Sequence, residues 1–269
     1  MRVYISVDIE GIATLVNSES TSITGSDYER ARRQMTAEAN AAVLGALAAG
    51  ATEIVINDSH GSQTNLLPHE LHPAAELIQG SPKPLMMMEG VDGGFDAALF
   101  IGYHARMQQH GILSHTISSR TVSNIYLNGE LVGETAINAA IAGYFGVPVI
   151  FASGDNYLCQ EAKMALGNVE TACVKQAITR ISARSLHPMR ACQLIEQGVE
   201  RALKNLGQFS PYLPQGPYPF DLQFIQAGGA DGAAMMPGTV RVNASTVRFS
   251  HDDYLEAFRG LRCMISLGS

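Results

Sequence analysis

Asp8 and Glu10 stand two residues apart where the first apolar run of the chain ends, Asn57-Asp58-Ser59-His60 closes a second, and Gly102-Tyr103-His104 closes a third. If the backbone stays extended past Val7, Asp8 and Glu10 point to one face, where two carboxylates repel unless positive charge sits between them. Asp8, Glu10, His60 and His104 make a mixed carboxylate and imidazole set without thiolate. Such a set suits Zn²⁺ in a catalytic rather than a structural role, with Mn²⁺ or Fe²⁺ as alternatives. One Asp can bridge two ions, and two metals would account for the number of carboxylates. Taken singly, His60 or His104 reads equally as a buried neutral imidazole bonded to loop carbonyls, and Asp8 as a turn cap. The convergence of three strand ends favours the metal.

Other residues stay open on spacing alone. His115, in Leu113-Ser114-His115-Thr116, is either a general base or nucleophile near the metals or an ordinary loop histidine. Glu134 opens a helix, where it complements the helix dipole or serves as a further ligand. Asp58 is a candidate for orienting a ligand histidine, and Asp155 for lining the pocket. His69, His72, His110, His187 and His251 lie in loops or ahead of helices, where capping or exposure accounts for them. Met86-Met87-Met88 and Met235-Met236 read as core or interface filler.

These side chains need a scaffold that brings strand ends together. Residues 3–7 read as a buried strand, and Ser26-Asp27-Tyr28-Glu29 as a capping box. Ala31, Met35, Ala39, Val43 and Leu47 then mark one face of a helix that Gly50 stops. A strand over 52–57 completes a right-handed βαβ unit. Further strands are expected at 97–101 and 147–152, a hairpin around Asn128-Gly129 and a helix over 134–145. The fold class is therefore α/β, with an N-terminal βαβ-based mixed sheet flanked by helices and a smaller α+β C-terminal half. The expected division is 1–155, an α/β metal-binding catalytic domain, and 156–269, an α+β domain. In open α/β sheets ligands bind outside the carboxyl ends of the strands, where Asp8, His60 and His104 fall.

Composition narrows the class of partner. With 18 Lys+Arg against 25 Asp+Glu, the net charge of −7 repels polyanions, which argues against nucleic acid. A 46% hydrophobic, 16% charged chain is globular rather than disordered. Asp8 and Glu10 interrupt the first apolar run before it reaches signal-peptide length, and no later run approaches ~18 apolar residues, so no export signal or membrane span is expected. Cys159, Cys173, Cys192 and Cys263 show neither C-x-x-C spacing nor scaffold density and read as buried free thiols of a cytoplasmic protein.

Ser6-Val7-Asp8-Ile9-Glu10-Gly11, Asn57-Asp58-Ser59-His60, Gly102-Tyr103-His104-Ala105, Ser114-His115 and Val132-Gly133-Glu134 together resemble the zinc-dependent D-aminopeptidases of the DppA type over nearly the full chain. Lys83-Pro84, Val174-Lys175-Gln176 and Met236-Pro237-Gly238-Thr239 are similar to that family too, while Ile9 and Gly154-Asp155-Asn156 depart from it. The resemblance implies a dinuclear zinc site with Asp8 bridging and Glu10, His60, His104 and Glu134 as the other ligands, two Zn²⁺ per subunit, and His115 as the catalytic residue. It also implies removal of the N-terminal residue from short D-amino-acid peptides such as D-Ala-D-Ala, inside a ring-shaped homo-oligomer of the decamer type. The rival readings are another metal-dependent amidase or deacylase on the same scaffold and a non-catalytic peptide-binding protein. A non-ligand histidine beside a full ligand set favours hydrolysis.

Overall fold

The computed structural model describes residues 1–269. Its centre is β1 (Arg2–Val7), a strand buried on both faces, as its unbroken apolar sequence requires. It pairs in parallel with β2 (Glu53–Asp58) on one side and with β4 (Ala97–Ile101) on the other, and β3 (Ala75–Ile78) adds an edge beyond β2. The register sets Val7 opposite both Asp58 and Ile101, so the three strands end level. The strip between β2 and β4 that reads as a Pro- and Gly-rich loop thus contains β3, a short, half-exposed strand whose apolar signal is two residues long.

The hairpin of β5 (Val122–Leu127) and β6 (Glu130–Val132) leaves this sheet, which continues beyond β4 through β7 (Val149–Asp155), β8 (Glu170–Thr179) and the antiparallel β9 (Ser182–Ser185). The order β3-β2-β1-β4-β7-β8-β9 reverses direction between β1 and β4, which opens a crevice at their carboxyl ends. A second, antiparallel sheet joins the hairpin to β10 (Tyr218–Phe224), β11 (Val240–Arg241) and β12 (Thr246–His251). Sheet membership therefore does not follow a boundary at 155, since each sheet draws strands from both sides of it. No helix is long and apolar enough to cross a membrane.

Helices cover both faces. After the short α1 (Ser18–Thr21), α2 (Tyr28–Ala48) buries Ala31, Met35, Ala39 and Val43 against Val3, Ile5 and Val7 of β1. Its start differs from the expected capping box: Ser26 gives its N–H and hydroxyl to Glu19, and Asp27 occupies the cap position without a side-chain cap bond. The opposite face carries α3 (Glu134–Tyr144), wedged between the two sheets, and α4 (Asn156–Leu166). Beside α2 lies α5 (Pro188–Lys204), capped by His187 as its position suggests. The second sheet is backed by α6 (Ala227–Ala233) and α7 (Tyr254–Leu267). All four cysteines are free, but only Cys159 is buried and Cys263 is exposed on α7, because that helix turns its Cys263 face away from the core.

The turn after β1 is held from a distance of 165 residues. The Lys175 ammonium, 1% exposed on β8, donates to the carbonyls of Glu10, Ile12 and Leu15 at 2.6, 2.8 and 2.6 Å. Burial lowers its pKa to about 8, which still leaves it charged at neutral pH. Lys175→Met removes the charge and strands three buried carbonyls, which costs on the order of 3 kcal/mol. The expected outcome is a melting temperature lower by roughly 6–12 °C; a variant within about 2 °C of wild type would show that the lysine does not hold the turn.

Candidate metal centre

Extension ends at Val7, so Asp8 and Glu10 converge through a tight turn rather than by strand alternation. Asp8 N–H still donates to Ile101 O at 2.8 Å, and the chain then turns so closely that Gly11 N–H reaches Gly102 O at 2.7 Å. A Cβ on Gly11 would come within 1.9 Å of Tyr103 O, and one on Gly102, whose φ is +68°, within 2.3 Å of Asp8 O. Those two glycines let the loops after β1 and β4 touch, which brings His104 over Asp8.

Each histidine is oriented by a backbone carbonyl. The contact of His60 Nε2 with Thr21 O is 2.9 Å, of His104 Nδ1 with Ala105 O 3.0 Å, and of His115 Nδ1 with Leu113 O 2.9 Å. These carbonyls can only accept, so each of those nitrogens carries the proton and the other ring nitrogen faces inward. His60 Nδ1 lies 3.3 Å from Asp8 Oδ1 and 3.0 Å from Glu10 Oε2. His104 Nε2 lies 3.4 Å from Asp8 Oδ2 and 3.5 Å from Glu134 Oε1, and His115 Nε2 is 4.0 Å from the same Glu134 oxygen. The two oxygens of Asp8 thus face different imidazoles, while Glu134, the first residue of α3, accepts the Ile117 N–H at 2.6 Å. His104 and His115 stack with ring centroids 4.1 Å apart.

The residues flagged by sequence gather in one place. Asp8, Glu10, His60, His104, His115 and Glu134 all line a cavity of about 560 Å³. Asp8, Glu10, His104 and Glu134 are 2–5% exposed, and Asp8 Oδ2 and Glu10 Oε2 are buried without a hydrogen-bond partner. Carboxylate oxygens and imidazole lone pairs facing one another are untenable without a cation or a proton among them. The donor set fits a divalent cation: atoms sharing a tetrahedral ion at ~2.1 Å sit roughly 3.3 Å apart, close to the separations here. Two overlapping groups bring one donor atom from each residue within 4.8 Å of the others, Asp8 with Glu10 and His104, and His104 with His115 and Glu134. Burial and the nearby Glu10 push the Asp8 carboxyl up to about 6. Burial alone would lower the His60 pKa, but Glu10 and Asp8 hold it well above the ordinary imidazole value, and burial and His115 lower that of His104.

The supporting residues act differently from their sequence-based assignments. Asp58 does not touch an imidazole; its carboxylate accepts the Asn65 and Leu66 N–H groups and the Asn65 amide, fixing the loop that carries His60. Asp155 does not line the cavity. It caps α4 through Tyr157 and Leu158 N–H and takes the Ile112 N–H at 2.6 Å, so it anchors the loop that carries His115. Met86 and Met87 reach the cavity as well as the core, and Met87 O accepts the Ser6 hydroxyl beneath it. Sequence reasoning gave no role to Lys83, whose buried ammonium donates to Asn57 Oδ1 and Asp58 O, nor to Lys175. The available signal was a lysine inside an apolar strand, Cys173-Val174-Lys175, where a free cation would be costly.

The family model described as Peptidase_M55, D-aminopeptidase, matches residues 1–263. A curated D-aminopeptidase of Bacillus subtilis is 40% identical over 268 residues, 99% of this chain and 97% of that protein. A solved structure described as the Zn-dependent D-aminopeptidase DppA from Bacillus subtilis, a self-compartmentalizing protease, aligns with a TM-score of 0.97 at 39% identity over 100% of this chain and 98% of that one.

The facing donors set how cation uptake depends on pH. With the His60 pKa raised, a proton occupies the place of the cation in metal-free protein and must leave as the ion enters. Uptake of Zn²⁺ by stripped protein is expected to release protons and to tighten as pH rises from about 5 to 8. Calorimetry in two buffers of different ionisation enthalpy measures this; proton-neutral, pH-independent binding would rule it out.

Proposed function

The chain belongs to the D-aminopeptidase family of peptidases, and on that premise we propose that it removes the N-terminal residue from short D-amino-acid peptides, D-Ala-D-Ala among them, at a dinuclear zinc site. The observation that carries the dinuclear reading is Asp8, whose two oxygens face His60 and His104 separately at 3.3 and 3.4 Å. Asp8 would bridge, Glu10 and His60 would complete one ion's protein donors, and His104 and Glu134 the other's. The Bacillus subtilis relative, described as Zn-dependent, supports zinc as the ion.

Zinc bound there would supply a Lewis acid for the scissile carbonyl and acidify water near neutral pH. The chain does the rest. A substrate's free amine, held by one of the carboxylates Asp8, Glu10 and Glu134 or by the zinc they would bind, would restrict cleavage to the N-terminus. His115 is the proton carrier: its Nδ1–H is committed to Leu113 O, so Nε2 is the atom that takes a proton from the attacking water and returns it to the leaving amine. Stacking on His104 fixes the plane of the ring, and the Asp155 bond to Ile112 N–H fixes the loop behind it.

The assembly belongs to the same proposal. Ile178 and Ile181 at the β8–β9 turn and Met235 after α6 are 69%, 59% and 78% exposed, apolar area available to neighbouring subunits. Together with the self-compartmentalizing description of the relative, this supports assembly of several copies, and the form proposed is a ring-shaped homo-oligomer of the decamer type, in the cytoplasm.

Zinc-loaded protein is expected to hydrolyse D-Ala-D-Ala in preference to L-Ala-L-Ala and to spare N-acetylated D-Ala-D-Ala. His115→Ala should cost about 10²–10⁴ in kcat while retaining about two zinc ions per chain by elemental analysis. Bound metal with neither dipeptide cut would turn the reading towards another amidase of this scaffold. Loss of metal together with activity would make His115 a ligand instead.

A further inference from the structure

Charged side chains of both signs line the cavity. Its floor carries Asp8, Glu10 and Glu134, while Arg120 and Arg180 also line it. Neither guanidinium pairs with a carboxylate of the protein; Arg33, Arg106, Arg184, Arg190 and Arg262 also lack such a partner, but only Arg120 and Arg180 line this cavity. Arg180 gives Nε and Nη2 to the Ser114 carbonyl at 3.3 Å, which fixes its plane and leaves Nη1 free. The Arg120 side chain makes no hydrogen bond at all within the protein, although the chain carries an excess of acidic residues. Two guanidiniums without a carboxylate partner, on the wall of the cavity whose other donors would hold the zinc ions, form a site for an anionic group of the substrate. Guanidinium presents a planar fork of N–H donors matched to a carboxylate.

We propose that Arg180 and Arg120 form a subsite for the C-terminal carboxylate of a short peptide, so that the cavity reads both ends of its substrate. The inference rests on the aminopeptidase reading and narrows its substrate class to short peptides with a free C-terminus. An extended residue spans ~3.5 Å, so a peptide that holds its amine at the donors and its carboxylate at arginines of the same cavity of about 560 Å³ is a short one. The subsite is also tied to the proton carrier. Arg180 O accepts the Leu113 N–H at 2.9 Å and its side chain holds Ser114 O, so the two residues that precede His115 both bond to Arg180. Arg180 is thus a positioning as well as a binding residue, and Arg120 a binding residue alone.

The test compares D-Ala-D-Ala with its C-terminal amide in wild type, Arg120→Met, Arg180→Met, Arg180→Lys and the double methionine variant. A charge-assisted carboxylate pair corresponds to a preference for the acid of about 10- to 100-fold in kcat/KM. That preference is expected in wild type, reduced in each methionine variant, partly restored by Arg180→Lys and lost in the double variant. Arg120→Met should act through KM alone, whereas Arg180→Met should lower kcat on both compounds as well. The acid-to-amide ratio isolates recognition from any disturbance of the His115 loop. Binding of the same two compounds to zinc-loaded His115→Ala protein, measured by calorimetry, reads the preference without turnover. Should wild type cut neither compound yet the acid bind better in an arginine-dependent way, the aminopeptidase reading fails and the carboxylate subsite stands. Equal handling of acid and amide, or an undiminished preference in the double variant, overturns the subsite and leaves the peptidase reading intact.

Discussion

Three buried carboxylates and three imidazole lone pairs directed into one cavity repel one another, and the architecture around them exists to keep them there. Left alone, Asp8, Glu10 and Glu134 would part or take up protons. They are prevented from parting by groups with no chemistry of their own: the Lys175 ammonium on the turn of Glu10, Lys83 and Asp58 around the loop of His60, Asp155 behind the loop of His115, and Ile117 N–H on Glu134. Ile117 N–H bonds the Glu134 carboxylate itself, whereas the other clamps act on the loops, and Asp8 Oδ2 and Glu10 Oε2 stay buried without a hydrogen-bond partner. A cation bound there, as proposed, would take the place of the proton at His60 and offset the charge of the three carboxylates.

The sheet makes this confinement possible. Because Val7 lies level with Asp58 and Ile101, three loops leave the sheet at the same height, and the reversal of strand order at β1 lets those loops splay to either side of a crevice. α3 then brings Glu134 in from the second face at its first turn, where the helix N-terminus favours negative charge. Beneath the loops, the Ser6 hydroxyl joins Ser59, Tyr103 and Met87 O in a network that ties all three strand ends to the Met86–Met88 turn. Metal donors, strand ends and supporting hydrogen bonds are therefore a single layered object.

Much of this was legible in the sequence, and the pattern of success is physical. Strands buried on both faces announce themselves as unbroken apolar runs, and polar residues at their ends stand out, so Asp8, His60 and His104 could be placed from β1, β2 and β4 alone. His115 and Glu134 could not, because a loop histidine and a helix-opening glutamate have ordinary uses; the resemblance, not the spacing, assigned them. β3 was hidden by brevity and partial exposure, and the capping box at Ser26 lost to a competing acceptor, Glu19, that only the folded turn brings near. The destination of the β5–β6 hairpin was also invisible: Asn128-Gly129 specifies a turn, not the sheet it joins. Asp155 and Lys175 act through backbone atoms distant in sequence, a relation that no local pattern encodes.

The exchange of strands between the two sheets also bears on how the molecule is made. A ribosome that has released the first 155 residues has delivered Asp8, Glu10, His60, His104, His115 and Glu134, yet the ammonium that fixes the turn of Glu10 and both β8 and β9 are still to come, as are the partners of the β5–β6 hairpin. The emerging chain therefore carries a complete inventory of donors that cannot close into a site. Pairings across 165 residues of sequence are formed late and slowly, since loop closure must precede their reward. The turn that carries Glu10 is thus complete only once residue 175 has been made.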